Sequence, residues 1–163
     1  MEKIYGTTIR QDGLQKIGRK RYDLFYGFGK DNANDETGYN YRKTFAYKPT
    51  IDEIKDTIIS HINKEIDLKI LNGLVWRDMP IWLSSENQFN YKAAYDLAIQ
   101  TNGATLPVTF KFGTDNSPIY HTFENLEEFQ EFYTTSLAYV QQTLLDGWRE
   151  KDSIDWSVFE QLT

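Results

Sequence analysis

The best-marked element of the sequence is one long helix. Residues 49–73 read PTIDEIKDTIISHINKEIDLKILNG. Thr50 and Glu53, three residues apart, form a capping box, in which each side chain accepts a hydrogen bond from the other residue's backbone N–H. Apolar residues then recur at helical spacing, at Ile51, Ile54, Ile58, Ile59, Ile62, Ile66 and Ile70. Because Asn72-Gly73 supplies a stop, the spacing predicts a helix over residues 51–70.

The residues before this helix predict a β-hairpin preceded by a polar arm. Residues 22–28 and 39–47 alternate between apolar and polar side chains, as half-buried strands do, and a polar loop joins them. Residues 1–20 are polar and predict a loosely held arm with one short strand near residues 3–9. Because an isolated hairpin is marginally stable in water, we expect it to pack on another element.

The residues after Gly73 predict a compact β-β-α-β-β-α unit that ends in a long helix. The predicted strands cover residues 74–76, 81–83, 106–112 and 118–123. Between the two strand pairs, a helix runs from a cap at Ser84 or Ser85 to about Gln100. Asn125 caps the last helix, whose predicted buried stripe is Phe129, Tyr133, Leu137, Val140, Leu144 and Trp148. The fold class is therefore α+β, with arm, hairpin and first helix in residues 1–72 and a second domain in residues 73–163.

Composition excludes several classes of protein. The aromatic fraction of 15% argues against a disordered chain, and the absence of cysteine excludes a disulfide scaffold. With 24 acidic and 18 basic residues the net charge is −6, which argues against binding to nucleic acid or to an anionic membrane. The N-terminal residues do not show the pattern of a signal peptide, and the predicted helices are too charged to span a bilayer. We expect a soluble protein that is made and kept in a cytoplasm.

The sequence offers only weak candidates for catalytic or metal-binding residues. His61 lies four residues before Glu65, which favours a surface ion pair, and His121 in a predicted strand favours a structural role. Residues 31–36 read DNANDE and are similar to a calcium loop, but they lack its required third-position ligand and its glycine. Four acidic side chains near one helix start are explained by the helix dipole: Glu124, Glu127, Glu128 and Glu131. No phosphate loop or nucleophile motif is present, so we expect no catalytic residue, no metal ligand and no cofactor.

The tyrosine-rich hairpin is the one candidate recognition surface. Tyrosine combines a large contact area with a polar tip and is enriched at protein interfaces. The candidate surface is Tyr22, Tyr26, Tyr39 and Tyr41. The alternative is that these rings are core residues that cover the isoleucine-rich helix, and the two interpretations have equal weight because a two-stranded layer has two faces.

Residues 70–156 resemble a domain family of tailed bacteriophages and prophages. The resemblance lies in ILNGLVW at 70–76, PIWLSSENQFNY at 80–91, LPVTFKFG at 106–113, YHTF at 120–123 and the final helix. The family pattern includes Trp76, Trp82 and Gln88, in structural roles. The amino-acid sequences of these segments are similar to versions from Bacteroides-type gut bacteria and their phages. The domain often belongs to proteins associated with tail fibres or with fibre assembly.

The resemblance implies a phage or prophage structural or assembly protein that acts through protein–protein contacts. Its expected partners are other phage structural proteins, and a homo-oligomer is compatible with this role. It implies a location in the cytoplasm during assembly and, if the protein is retained, in the virion. Two alternatives remain: a non-catalytic carbohydrate or small-ligand binding module with exposed Tyr and Trp, and a hydrolase with a carboxylate pair. Exposed rings around a groove with Asp, Asn and Gln side chains would favour the binding module.

Overall fold

The computed structural model describes residues 1–160 and has an α+β fold made of two compact units. The first unit contains residues 1–63 and the chain from Lys151 onward, and the second contains residues 64–150. The unit boundaries fall inside two helices, whereas the sequence analysis placed a boundary after Asn72. Residues 161–163, which were assigned to the second domain, lie outside the described residues.

The first unit is built on a four-stranded antiparallel sheet. Its strands are β1 (Glu2–Thr7), β2 (Gly13–Ile17), β3 (Arg21–Gly29) and β4 (Gly38–Phe45), in the order β1-β4-β3-β2. Strands β3 and β4 confirm the predicted hairpin. The prediction of a loosely held N-terminal arm was wrong, because residues 1–20 add one strand to each edge of that hairpin.

Buried hydrogen bonds hold the connection between β1 and β2 in place. The side chain of Asn40, itself buried in β4, donates to the carbonyl of Ile9 at 3.0 Å and accepts from the N–H of Gln11 at 2.8 Å. The Asp12 carboxylate accepts from the N–H of Gly27 at 2.7 Å. These polar side chains are typical of a loop in the sequence, but in the fold they satisfy backbone groups that would otherwise lack partners.

Helix α1 (Ile51–Asn72) begins with the predicted capping box. The Glu53 carboxylate accepts from the N–H of Thr50 at 2.8 Å, and the Thr50 hydroxyl accepts from the N–H of Glu53 at 3.2 Å. Within the first unit the helix buries Ile54, Ile58 and Ile62. A 3-10 helix (Trp156–Phe159) returns to this unit, where it contacts β2.

The second unit has the predicted element order. It contains β5 (Leu74–Trp76), β6 (Met79–Ile81), α2 (Ser85–Gln100), β7 (Val108–Thr114), β8 (Ser117–Phe123) and α3 (Leu126–Asp152). The predicted cap at Ser84 is confirmed, because its side chain accepts from the N–H of Asn87. Strand β6 begins two residues earlier than predicted, because Arg77 and Asp78, both with positive φ, form a two-residue hairpin turn.

The core of the second unit is an aromatic cluster. The face of α3 that packs on it differs from the predicted one. The cluster includes Trp76, Tyr91, Phe112, Phe123, Phe129 and Phe132. On α3 the buried positions are Phe129, Phe132, Ser136 and Gly147. Leu137 and Trp148, predicted in the buried stripe, are exposed. The reason is close packing at small residues, since a Cβ on Gly147 would overlap the side chain of Ile66 on α1.

Candidate functional site

The tyrosine-rich hairpin does not present an exposed surface. Tyr22, Tyr26 and Tyr39 are buried, and Tyr41 is half-buried with its ring 4.1 Å from that of His61. Cations from β1 and the residues after it cover these rings. The Lys3 ammonium lies 3.9 Å from the ring centre of Tyr39, and the Arg10 guanidinium lies 5.1 Å from that of Tyr26. The interpretation as an interaction surface is therefore corrected, and the alternative of core residues fits the structure.

The three family-pattern residues occupy different environments. Trp76 is buried, and its ring centre lies 5.2 Å from that of Phe132. Gln88 donates to the carbonyl of Leu83 at 2.8 Å, which fixes the start of α2. Trp82 departs from the expectation of a structural ring, because 49% of its surface is exposed. In the sequence both tryptophans lie in short strand-like segments, so nothing distinguished the buried Trp76 from the exposed Trp82.

Both histidines pack against aromatic rings. His61 is buried, which corrects the expectation that it lies on the surface. His121 stacks on Phe112 with ring centres 6.0 Å apart, and its Nε2 lies 3.2 Å from an oxygen of Glu128.

Two of the four acidic side chains near the start of α3, and Asp31 in the calcium-like segment, are paired with cations. Arg77 pairs with Glu128 and Glu131, while Asp31 pairs with Lys3 at 2.8 Å. A hydrogen bond from the Lys3 ammonium lowers the pKa of Asp31 below its ordinary value. Among residues 1–160, no group of three or more His, Asp or Glu side chains is placed to hold a metal ion.

An apolar groove lies between α2 and α3 and is here named the α2–α3 groove. It is a cavity of about 220 Å³ lined mainly by Leu83, Phe89, Tyr91, Tyr133, Leu137 and Val140. Phe89, on its rim, is 70% exposed, and Leu137 is exposed on the facing helix. Exposed apolar side chains beside a cavity are typical of a site that another molecule covers.

The floor of the α2–α3 groove contains a buried hydroxyl without a hydrogen-bond partner. Ser136 is 6% exposed, and its Oγ makes no hydrogen bond with any group of residues 1–160. Beside it, burial raises the pKa of the Tyr91 hydroxyl to about 12. No histidine or carboxylate belongs to this lining. The groove is therefore suited to apolar burial.

A second, more polar groove surrounds Trp82 and is here named the Trp82 groove. Its volume is about 730 Å³. Three pieces of the second unit form its walls: the end of α1, the segment from β6 into α2, and the turn between β7 and β8. Its polar side chains are Asn72, Asn87, Lys111, Thr114, Asp115 and Asn116.

The sequence analysis missed both grooves, although it contained one signal. At helical spacing, Tyr91, Ala94, Tyr95 and Ala98 share one face of α2, and Phe89 falls outside it. Nothing in the sequence indicated that a cavity lies beside it, because this depends on which face of α3 packs inward.

Comparisons with known proteins find no relative of this chain. No family model, no curated protein and no solved structure matches the chain. In the described part of the chain, no helix has the length and apolar character needed to cross a membrane.

Proposed function

We propose that this protein is a phage or prophage structural or assembly protein, associated with tail fibres or with the virion, that acts through protein–protein contacts at the α2–α3 groove. The observation that carries the contact role is the exposed Phe89 beside the apolar cavity of this groove. The resemblance of residues 70–156 supports the phage role.

The exposed apolar area of Phe89 is large enough for a binding anchor. A phenylalanine side chain buries about 150–250 Å² when it is fully covered. At 70% exposure, about 140 Å² remains to be buried, which corresponds to roughly 3 kcal/mol before the costs of association. This magnitude is typical of the few residues that dominate a protein–protein interface.

The shape of the groove indicates the kind of contact. Two helices form its walls, so a partner helix or loop that inserts one aliphatic or aromatic side chain would fill the cavity. At the rim, Lys92 is already paired with Asp96, so we expect apolar burial to dominate over charge.

The experiment is quantitative mass spectrometry of particles and lysate from an induced host that carries one of two matched variants. Phe89→Asp places a charge where the groove must be desolvated, and Phe89 is too exposed for this change to unfold the unit. Tyr120→Asp is the control, because Tyr120 is 69% exposed on β8 and does not line the groove.

The expected result is wild-type protein at a fixed copy number in particles or in their assembly intermediates. Phe89→Asp should reduce that copy number at least about tenfold, because losing about 1.4 kcal/mol changes occupancy by that factor. Tyr120→Asp should leave the copy number unchanged. Equal retention of all three proteins would refute the role of the groove, and absence of the wild type from both fractions would refute the phage role.

A further inference from the structure

We propose that the Trp82 groove binds a neutral oligosaccharide. This inference goes beyond the contact role of the α2–α3 groove and concerns different residues. Its first basis is Trp82, a residue that is 49% exposed and lines a groove of about 730 Å³. That volume lies within the range of small-molecule sites, roughly 300–1,000 Å³, and suits about two or three sugar rings.

The indole offers the apolar half of sugar recognition. One face of a pyranose ring consists mainly of C–H groups, which pack against a flat aromatic surface and are removed from water. The backbone of Trp82 is fixed in position, because the Asn87 side chain donates to its carbonyl at 2.8 Å. The N–H of Leu83, the next residue, donates to the carbonyl of Leu71 near the end of α1 at 2.8 Å.

Asparagine side chains offer the polar half of sugar recognition. Each side-chain amide has two N–H donors and one carbonyl acceptor, so it can bond to neighbouring sugar hydroxyls, which both donate and accept. Asn72 lies at the end of α1 and Asn116 lies in the turn between β7 and β8, so they approach the groove from different walls. Neither side chain forms a hydrogen bond within residues 1–160, and both are exposed to solvent.

The charge of the groove favours a neutral ligand. Its two charged side chains are Lys111 and Asp115, which lie 3.5 Å apart and cancel. The chain as a whole carries a net charge of −6, which disfavours an anionic sugar. This balance separates the proposal from a phosphate or acidic-sugar site.

The test is binding of trisaccharides to the full chain, followed through the indole N–H signals in nitrogen-15 NMR spectra. The neutral probes are chitotriose, cellotriose, maltotriose and mannotriose, and the charged comparison is trigalacturonic acid. The chain contains 4 tryptophans, and Trp82→Phe identifies the signal of Trp82 by its disappearance. The matched control is Trp148→Ala, because Trp148 is 55% exposed and lies outside the Trp82 groove.

We expect at least one neutral trisaccharide, at about 10 mM, to shift the Trp82 signal and leave the Trp148 signal in place. Trp82→Ala lacks the reporter indole, so its binding is followed through the backbone N–H signals of the groove residues. It should weaken binding at least about tenfold and Asn116→Ala about threefold, while Trp148→Ala leaves it unchanged. Three results would each overturn the proposal: no neutral probe shifts the Trp82 signal, both exposed indoles shift alike, or Trp82→Ala binds as wild type. Because the isolated protein is measured, the result is independent of whether the α2–α3 groove binds a partner.

Discussion

Removing the hydroxyl of Ser136 should make the protein more stable. Its Oγ is buried and has no hydrogen-bond partner among residues 1–160. A buried hydroxyl without a partner costs roughly 1–3 kcal/mol. Alanine also has a helix propensity better than that of serine by about 0.5 kcal/mol. Allowing for the contacts that the oxygen atom loses, Ser136→Ala should raise the free energy of unfolding by about 1–2 kcal/mol.

The assay is urea unfolding of the full chain, followed by far-ultraviolet circular dichroism, with a control on the same helix. Ala138 lies two residues from Ser136 on α3 and is exposed. Ala138→Ser therefore measures the serine–alanine difference without burial, and should lower the free energy of unfolding by about 0.5 kcal/mol. The gain from Ser136→Ala should exceed this value at least about twofold.

The result that refutes the reasoning is a gain from Ser136→Ala no larger than the loss from Ala138→Ser. It would mean that the hydroxyl already shares a backbone carbonyl of the preceding helical turn. A gain of the expected size would identify a residue that costs stability in the isolated protein, as residues at functional sites often do.

The remaining predictions concern two helix ends. Gly73→Ala should lower the free energy of unfolding by about 2 kcal/mol in the same urea assay, because the new Cβ would overlap the Tyr139 hydroxyl and displace its hydrogen bond to the Lys69 carbonyl; an unchanged midpoint would contradict this. The second follows from the pKa of Glu53, which a hydrogen bond from Tyr47 lowers from its ordinary value of 4.5. Its stabilising effect is therefore complete above pH 4.5 and is lost as the pH falls through the lowered folded-state pKa. The melting-temperature advantage of wild type over Glu53→Gln should shrink in that acid range, and an advantage independent of pH would contradict the prediction.

Local signals in the sequence predicted much of the fold. The capping box at Thr50 and the cap at Ser84 act through residues three positions away, so both helix starts could be located from the sequence. The arm could not, because its order depends on Asn40, which lies 31 residues from Ile9 along the chain. The predicted stop at Gly73 is confirmed, but its close approach to Lys69 and Tyr139 depends on the packing of α3 and could not be read from the sequence.

Neither groove could be located from the sequence. The buried face of α3 was assigned from its large apolar residues, but Ser136 and Gly147 allow neighbouring elements to pack closely and turn Leu137 outward. Trp76 and Trp82 occupy similar short apolar segments, and only tertiary packing buries the first and exposes the second. The candidate site was therefore assigned to tyrosines that the structure buries, and the grooves became visible once the packing was known.

The measurement that tests the central claim most directly is site-specific photo-crosslinking from the rim of the α2–α3 groove. A photoreactive phenylalanine analogue is placed at Phe89 or, as the control, at Tyr120, and crosslinked products from assembling particles are identified by mass spectrometry. The account predicts one defined phage structural protein, or a second copy of this chain, crosslinked from position 89, and none from position 120. Equal or absent crosslinking from the two positions would contradict the claim that the groove is the contact surface.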